Sequence, residues 1–186
     1  MREYIKRNID GKKVLFLFVL TNIVYAIMLT ITVPKVMRYS DGIQLLDLMP
    51  MGYDAEYVNT LLSTLGDKGR HTYLYNQIPV DLIYPFLFGI SSCLVLAYFL
   101  NKLGKLDGNL FYLCLLPLFS GLFDYGENIG IITLLTTYPN NSDLVIQITS
   151  RFTILKSILT SIYFIVLIII LMLLAKHKLF QKEKKL

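Results

Sequence analysis

Three stretches of the chain are apolar and free of charge for long enough to cross a bilayer. Residues 14–33 and 82–101 are runs of twenty uncharged residues, and 157–175 is a run of nineteen dense in Ile and Leu. At ~1.5 Å per residue each covers a hydrocarbon core of ~30 Å. The first run is too long for the 7–15 apolar residues typical of a cleaved leader, and no A-x-A-like site follows it, so it reads as a retained anchor.

A fourth stretch, 110–137, is apolar as far as Phe123, then meets Asp124, Glu127 and Asn128 before turning apolar again at Ile129. Its eleven Leu, Ile and Phe residues between Tyr112 and Leu134 favour insertion by about 3–6 kcal/mol. One central Asp costs about 2.5–3.5 kcal/mol, and the Glu and Asn add to that. Such a helix needs neighbours that cover its polar side. The pattern therefore predicts an all-α, integral membrane four-helix bundle forming a single domain over 1–186. Its spans lie near 14–33, 80–101, 110–137 and 152–175, with a partly helical extracytoplasmic segment at about 34–79.

Within that outer segment, residues 43–51 (IQLLDLMPM) are too short to span and too apolar to float in water. They are expected to lie on the membrane surface or to cap the bundle. Asp54 is placed to cap a helix carrying Tyr57, Val58, Leu61 and Leu65 on one stripe, with Gly66 ending it and Asp67 offering a second cap. Pro79 and Pro85 are expected to kink the second span near its outer end.

Composition agrees with this pattern. The chain has 186 residues, 55% hydrophobic and only 17% charged, against roughly 25% charged in soluble domains. The net charge of +5 does not indicate a nucleic-acid surface, because ten of the eighteen basic residues sit on two tails. Arg2, Lys6, Arg7, Lys12 and Lys13 precede the first run, and Lys176, Lys178, Lys182, Lys184 and Lys185 follow the last. Lys102 and Lys105 stand against Asp107 in the short connector, whereas residues 139–150 carry Asp143 alone. The positive-inside rule then puts both termini in the cytoplasm, with the plasma membrane as the expected location. Cys93 and Cys114 fall inside apolar runs and form no C-x-x-C pair, and His71 and His177 are too distant for a zinc pattern. No metal and no cofactor is assigned.

Helical spacing gathers the unusual residues. Pro117, Ser120, Gly121, Asp124, Glu127 and Asn128 share one face of the third span. Thr153, Lys156, Ser157, Thr160 and Ser161 share a face of the fourth. Arg70, Tyr73, Gln77, Asp81, Tyr84, Phe88 and Ser91 form a stripe leading into and along the second. Counted from the cytoplasmic ends, Asp124 lies about 21 Å deep, Tyr84, Glu127, Asn128 and Lys156 about 26–28 Å, and Asp81 about 30 Å. One cation and three carboxyl groups from three helices thus meet at one level in the outer half of the bilayer, with Arg70 and Arg151 expected just above. Gly126 and Gly130 form a small-x-x-x-small pair suited to a close helix crossing.

Two readings follow from this layer. In one, a buried ion pair between Lys156 and Glu127 or Asp124 only fixes packing, and the chain is an accessory subunit that meets a partner membrane protein. In the other, the layer holds a ligand. The candidate binding residues are Asp81, Tyr84, Asp124, Glu127, Asn128, Lys156, Arg70, Tyr73 and Arg151. The ligand chemistry ranks a membrane lipid or small amphiphile first, a phosphate-bearing head group meeting Arg70, Arg151 and Lys156 included. Proton transfer between carboxyl groups by an intramembrane enzyme comes second. A hard cation on the oxygen donors comes third, disfavoured by the charge of Lys156.

Overall fold

The computed structural model describes residues 2–183, and side chains over 2–177. Among those residues the chain is helical, with no strand. Helix α1 is Arg2–Asn8, α2 is Gly11–Met37, α3 is Ala55–Lys102, α4 is Leu116–Thr137 and α5 is Asp143–Glu183. Short 3-10 turns occupy Leu46–Leu48 and Asn109–Leu115. Three helices, at Gly11–Met37, Ala55–Lys102 and Asp143–His177, are long and apolar enough to cross a membrane. Helix α4 is not among them, because Asp124, Glu127 and Asn128 interrupt its apolar sequence.

Local chemistry sets the helix boundaries. Asp10 caps α2 by accepting from the Lys13 amide at 3.3 Å, and Asp54 caps α3 by accepting from the Tyr57 amide at 2.8 Å. Gly66 ends the helix it follows, as expected, with a non-helical backbone at φ 57°. A second helix starts directly after it, so α3 is two helices joined at a kink. Both α2 and α3 widen into a π turn just ahead of a proline, at Met28–Thr32 before Pro34 and at Tyr73–Gln77 before Pro79. A proline ring collides with the carbonyl four residues back and donates no hydrogen bond, and an extra residue in the turn relieves both conflicts. The two π turns meet, and the Thr32 hydroxyl donates to the Gln77 side-chain oxygen between them.

Helix α2 packs on α3, α3 on α4 and α4 on α5, with a smaller contact between α3 and α5. No comparable interface joins α2 to α5, so the assembly is open along that side. The tightest crossing is α4 on α5. A Cβ added at Gly130 would lie 2.0 Å from the Thr149 hydroxyl, and one at Gly126 would lie 2.9 Å from the Phe152 ring. The close crossing expected of that glycine pair is thus present.

Two apolar clusters hold the assembly. One, around Phe88, Leu96, Leu100, Leu106 and Cys114, lies toward the end that carries the N-terminus. The other, around Leu45, Leu46, Leu61, Leu62, Ile131 and Leu134, lies at the opposite end. Leu45 and Leu46 are fully buried, so the apolar 43–51 segment caps the helices. Over most of its length α2 is anchored through a thin seam of Val14, Thr21 and Met28, seven residues apart, and only its last turns bury more, at Thr32, Val33 and Val36, while Phe16, Ile23 and Ile31 stand exposed. Helix α5 likewise exposes Ile158, Ile165, Ile168 and Met172. Apolar side chains exposed over that length mark a membrane-embedded protein.

The N-terminal segment, read as a basic tail, forms helix α1. Arg2 donates to the Asp107 carbonyl at 2.9 Å and lies 4.7 Å from the Phe111 ring centre, and Lys6 pairs with the Asp107 carboxylate. The hydrogen bond that the Lys6 ammonium donates to Asp107 holds it above its ordinary range. Two of the tail's cations are therefore occupied by the 102–109 connector. Lys178, Lys182, Lys184 and Lys185 of the C-terminal basic tail lie outside the residues whose side chains are described.

Candidate ligand-binding site

Asp124, Glu127 and Asn128 occupy positions one turn apart on α4, on the face turned toward α3 and α5. Opposite, α5 presents Thr153, Lys156 and Thr160 at the same spacing. The Lys156 ammonium pairs with the Glu127 carboxylate and donates to Asp124 Oδ1 at 3.3 Å. The Thr153 hydroxyl donates to Glu127 Oε1 at 2.8 Å. Glu127 is fully buried and committed on both oxygens. One turn toward the N-terminal end, the Ser120 and Thr160 hydroxyls share a hydrogen bond of 2.7 Å.

Asp81 of α3 is in a different situation. It is 3% exposed, and its Oδ2 has no hydrogen-bond partner. Its backbone carbonyl accepts from Asn128 Nδ2 at 3.2 Å, which fixes α3 against α4 but leaves the carboxyl free. An unpaired carboxylate taken out of water costs several kcal/mol.

Asp81, Tyr84, Asp124 and Lys156 line one cavity of about 310 Å3. Tyr25 and Leu29 of α2, Ser157 and Ser161 of α5, and Leu48 and Pro50 of the 43–51 segment also line it. Of these, Tyr25, Leu29 and Ser161 are exposed, and they lie where α2 and α5 form no interface comparable to the others, so the polar floor reaches the surface between the two helices. Tyr25 stacks on Tyr84 with ring centres 5.4 Å apart, and Tyr84 lies 5.7 Å from Phe88. Glu127 and Asn128 stand behind the cavity wall, both fully buried.

Three further expected residues also lie outside the cavity lining. Tyr73 is buried above it, its hydroxyl donating to Asp47 Oδ1 at 2.6 Å. Arg70 folds away: Nη1 donates to the Leu62 carbonyl at 2.6 Å, the guanidinium pairs with Asp67, and it lies 4.5 Å from the Tyr138 ring centre. The kink at Gly66 ends a helical turn whose last carbonyls lack amide partners, and Arg70 takes one of them. Arg151 is exposed and borders a separate hollow with Tyr53, Asp54 and Asp143. Five residues along a helix correspond to about 140° of rotation, so Arg151 and Lys156 face different ways despite similar depth. Neither arginine reaches the layer.

Asp47, which the periodicity of the spans did not select, belongs to the site. It descends from the 3-10 turn between Leu45 and Leu48, accepts from Tyr73 and from Gln77 Nε2 (3.0 Å), and lines the cavity. The signal in the sequence was an acid inside an otherwise apolar nine-residue segment. Tyr53, from the same connection, sits over Glu127 and Lys156, and burial pushes its phenol above the ordinary range. Its amide donates to Ser150 Oγ at 2.9 Å.

Comparison with protein-family models, with curated proteins and with solved structures gave no match.

Proposed function

We propose that this is a multi-pass integral membrane protein, one domain of four spans, whose cavity binds the polar head of a lipid or other amphiphile. Helix α4 is the fourth span, carried across the bilayer by α3 and α5, which cover its acids. Both termini face the cytoplasm, and the cavity lies in the outer half of the plasma membrane. Asp81, Tyr84, Asp124 and Lys156, joined by Asp47, contact the head group. Glu127 and Asn128 hold the wall, and the acyl chain leaves between α2 and α5.

One observation carries this reading: a cavity of about 310 Å3 with a charged floor, which reaches the surface between two helices that form no interface comparable to the others. A ligand with a polar head and an apolar tail matches both halves of that environment. The competing role, an accessory subunit whose ion pair only secures packing, draws support from Glu127, which is sealed between Thr153 and Lys156. It leaves the unpartnered Asp81 unexplained.

Mass spectrometry of molecules released from purified full-length protein tests the proposal. A specific amphiphile should accompany the wild type and be lost from Ser161→Trp, which fills the mouth with an indole. Equal amounts from both proteins, or none from either, would refute it.

A further inference from the structure

The charges around the cavity do not balance. Asp47, Asp81 and Asp124 line it, Glu127 stands directly behind, and Lys156 is the single cation among the described lining residues. That cation is already committed to Glu127 and Asp124. Asp47 accepts from two donors, Tyr73 and Gln77. Asp81 remains, buried to 3% exposure, with Oδ2 unpartnered, at the wall of the cavity. Beside it stand three aromatic rings, Tyr84 stacked on Tyr25 and followed by Phe88.

We infer that the head group is cationic: an ammonium, primary or quaternary, held by the Asp81 carboxylate and the Tyr84 ring, which Tyr25 backs by stacking on it. A buried carboxyl without a partner either holds a proton or faces a positive neighbour, and the aromatic rings beside Asp81 favour the second, because their faces attract cations through the ring quadrupole. An anionic head would instead meet three carboxyl groups, and the arginines that might have received it, Arg70 and Arg151, are directed elsewhere. The inference rests on the amphiphile reading for its apolar tail, whereas the ammonium site depends only on Asp81 and the aromatic wall.

Equilibrium dialysis of the full-length protein in maltoside micelles tests both parts, with empty micelles as the blank. Three probes are compared: dodecyltrimethylammonium, dodecyl phosphate and tetramethylammonium. Dodecyltrimethylammonium should bind saturably at one site, and dodecyl phosphate at least about tenfold more weakly. Asp81→Asn should weaken the cation by about thirtyfold or more, and Tyr84→Leu by about three- to tenfold. Should Asp81→Asn fail to fold, Tyr84→Leu and the cation-to-anion ratio of the wild type still decide. If dodecyl phosphate binds as tightly as the cation, or a folded Asp81→Asn keeps full affinity, the cationic head is overturned while the amphiphile reading stands. If tetramethylammonium binds as tightly as its dodecyl counterpart and Asp81→Asn abolishes it, the ammonium site stands and the amphiphile reading falls. Absence of saturable binding by all three probes overturns both.

Discussion

Glu127 and Asp81 are both carboxyl groups buried within adjacent helices of the same layer, yet their surroundings are opposite. Glu127 has an ammonium on one oxygen and a hydroxyl on the other, and no open space in front of it. Asp81 has an oxygen with no partner and a cavity beside it. The first arrangement joins α4 to α5; the second joins nothing. Burial alone therefore does not distinguish structural from ligand-facing acids in this protein, whereas the count of partners does.

The contrast can be broken by mutation, and the largest effect belongs to the closed side. Glu127→Gln should cost about 3–5 kcal/mol of stability, because it leaves Lys156 with half its counter-charge in a buried site. Adding Lys156→Met should recover part of that loss, as followed by unfolding in mixed dodecyl sulfate and maltoside micelles. Next comes the α4–α5 crossing itself. Gly130→Val places a branched side chain against Thr149 and should cost about 1–3 kcal/mol in the same titration.

On the open side the ranking of effects reverses. Asp81→Asn removes a buried carboxyl that has no hydrogen-bond partner, so stability should hold or rise rather than fall. Binding of dodecyltrimethylammonium should nevertheless collapse. A loss of stability as large as that of Glu127→Gln would show that the two acids do not differ. The smallest effect is expected at Arg151→Ala, within about 0.5 kcal/mol and with cation binding unchanged, since that side chain is exposed and borders a separate hollow.

The sequence carried much of this layer and little of the difference inside it. Asp124, Glu127 and Lys156 were legible because a charge within an apolar run has few places to go, and helical spacing told which face it takes. Depth counting brought Asp81 to the same level. It also misplaced Arg70 and Arg151, since height along a helix says nothing of azimuth or of a kink such as that at Gly66. Asp47 was hidden for another reason: it sits on a 3-10 turn outside any regular period, and only tertiary packing shows that Leu45 and Leu46 anchor it above the floor. The gap between α2 and α5 was equally invisible, because each helix is apolar on the side that a partner or lipid could cover. Helix α1 escaped notice since five basic residues near its sequence suggested a tail, while Ile5 and the link to Asp107 set its fold.

Photolabelling tests the central claim most directly. The full-length protein in liposomes would be irradiated with an alkyl ammonium carrying a diazirine in its chain, and the labelled peptides mapped by mass spectrometry. The expected label falls on residues 25–29 of α2 and 157–161 of α5, and disappears in Ser161→Trp. Label spread over the outward ridge of Ile165, Ile168 and Met172, and unchanged in Ser161→Trp, would contradict a site entered between those helices.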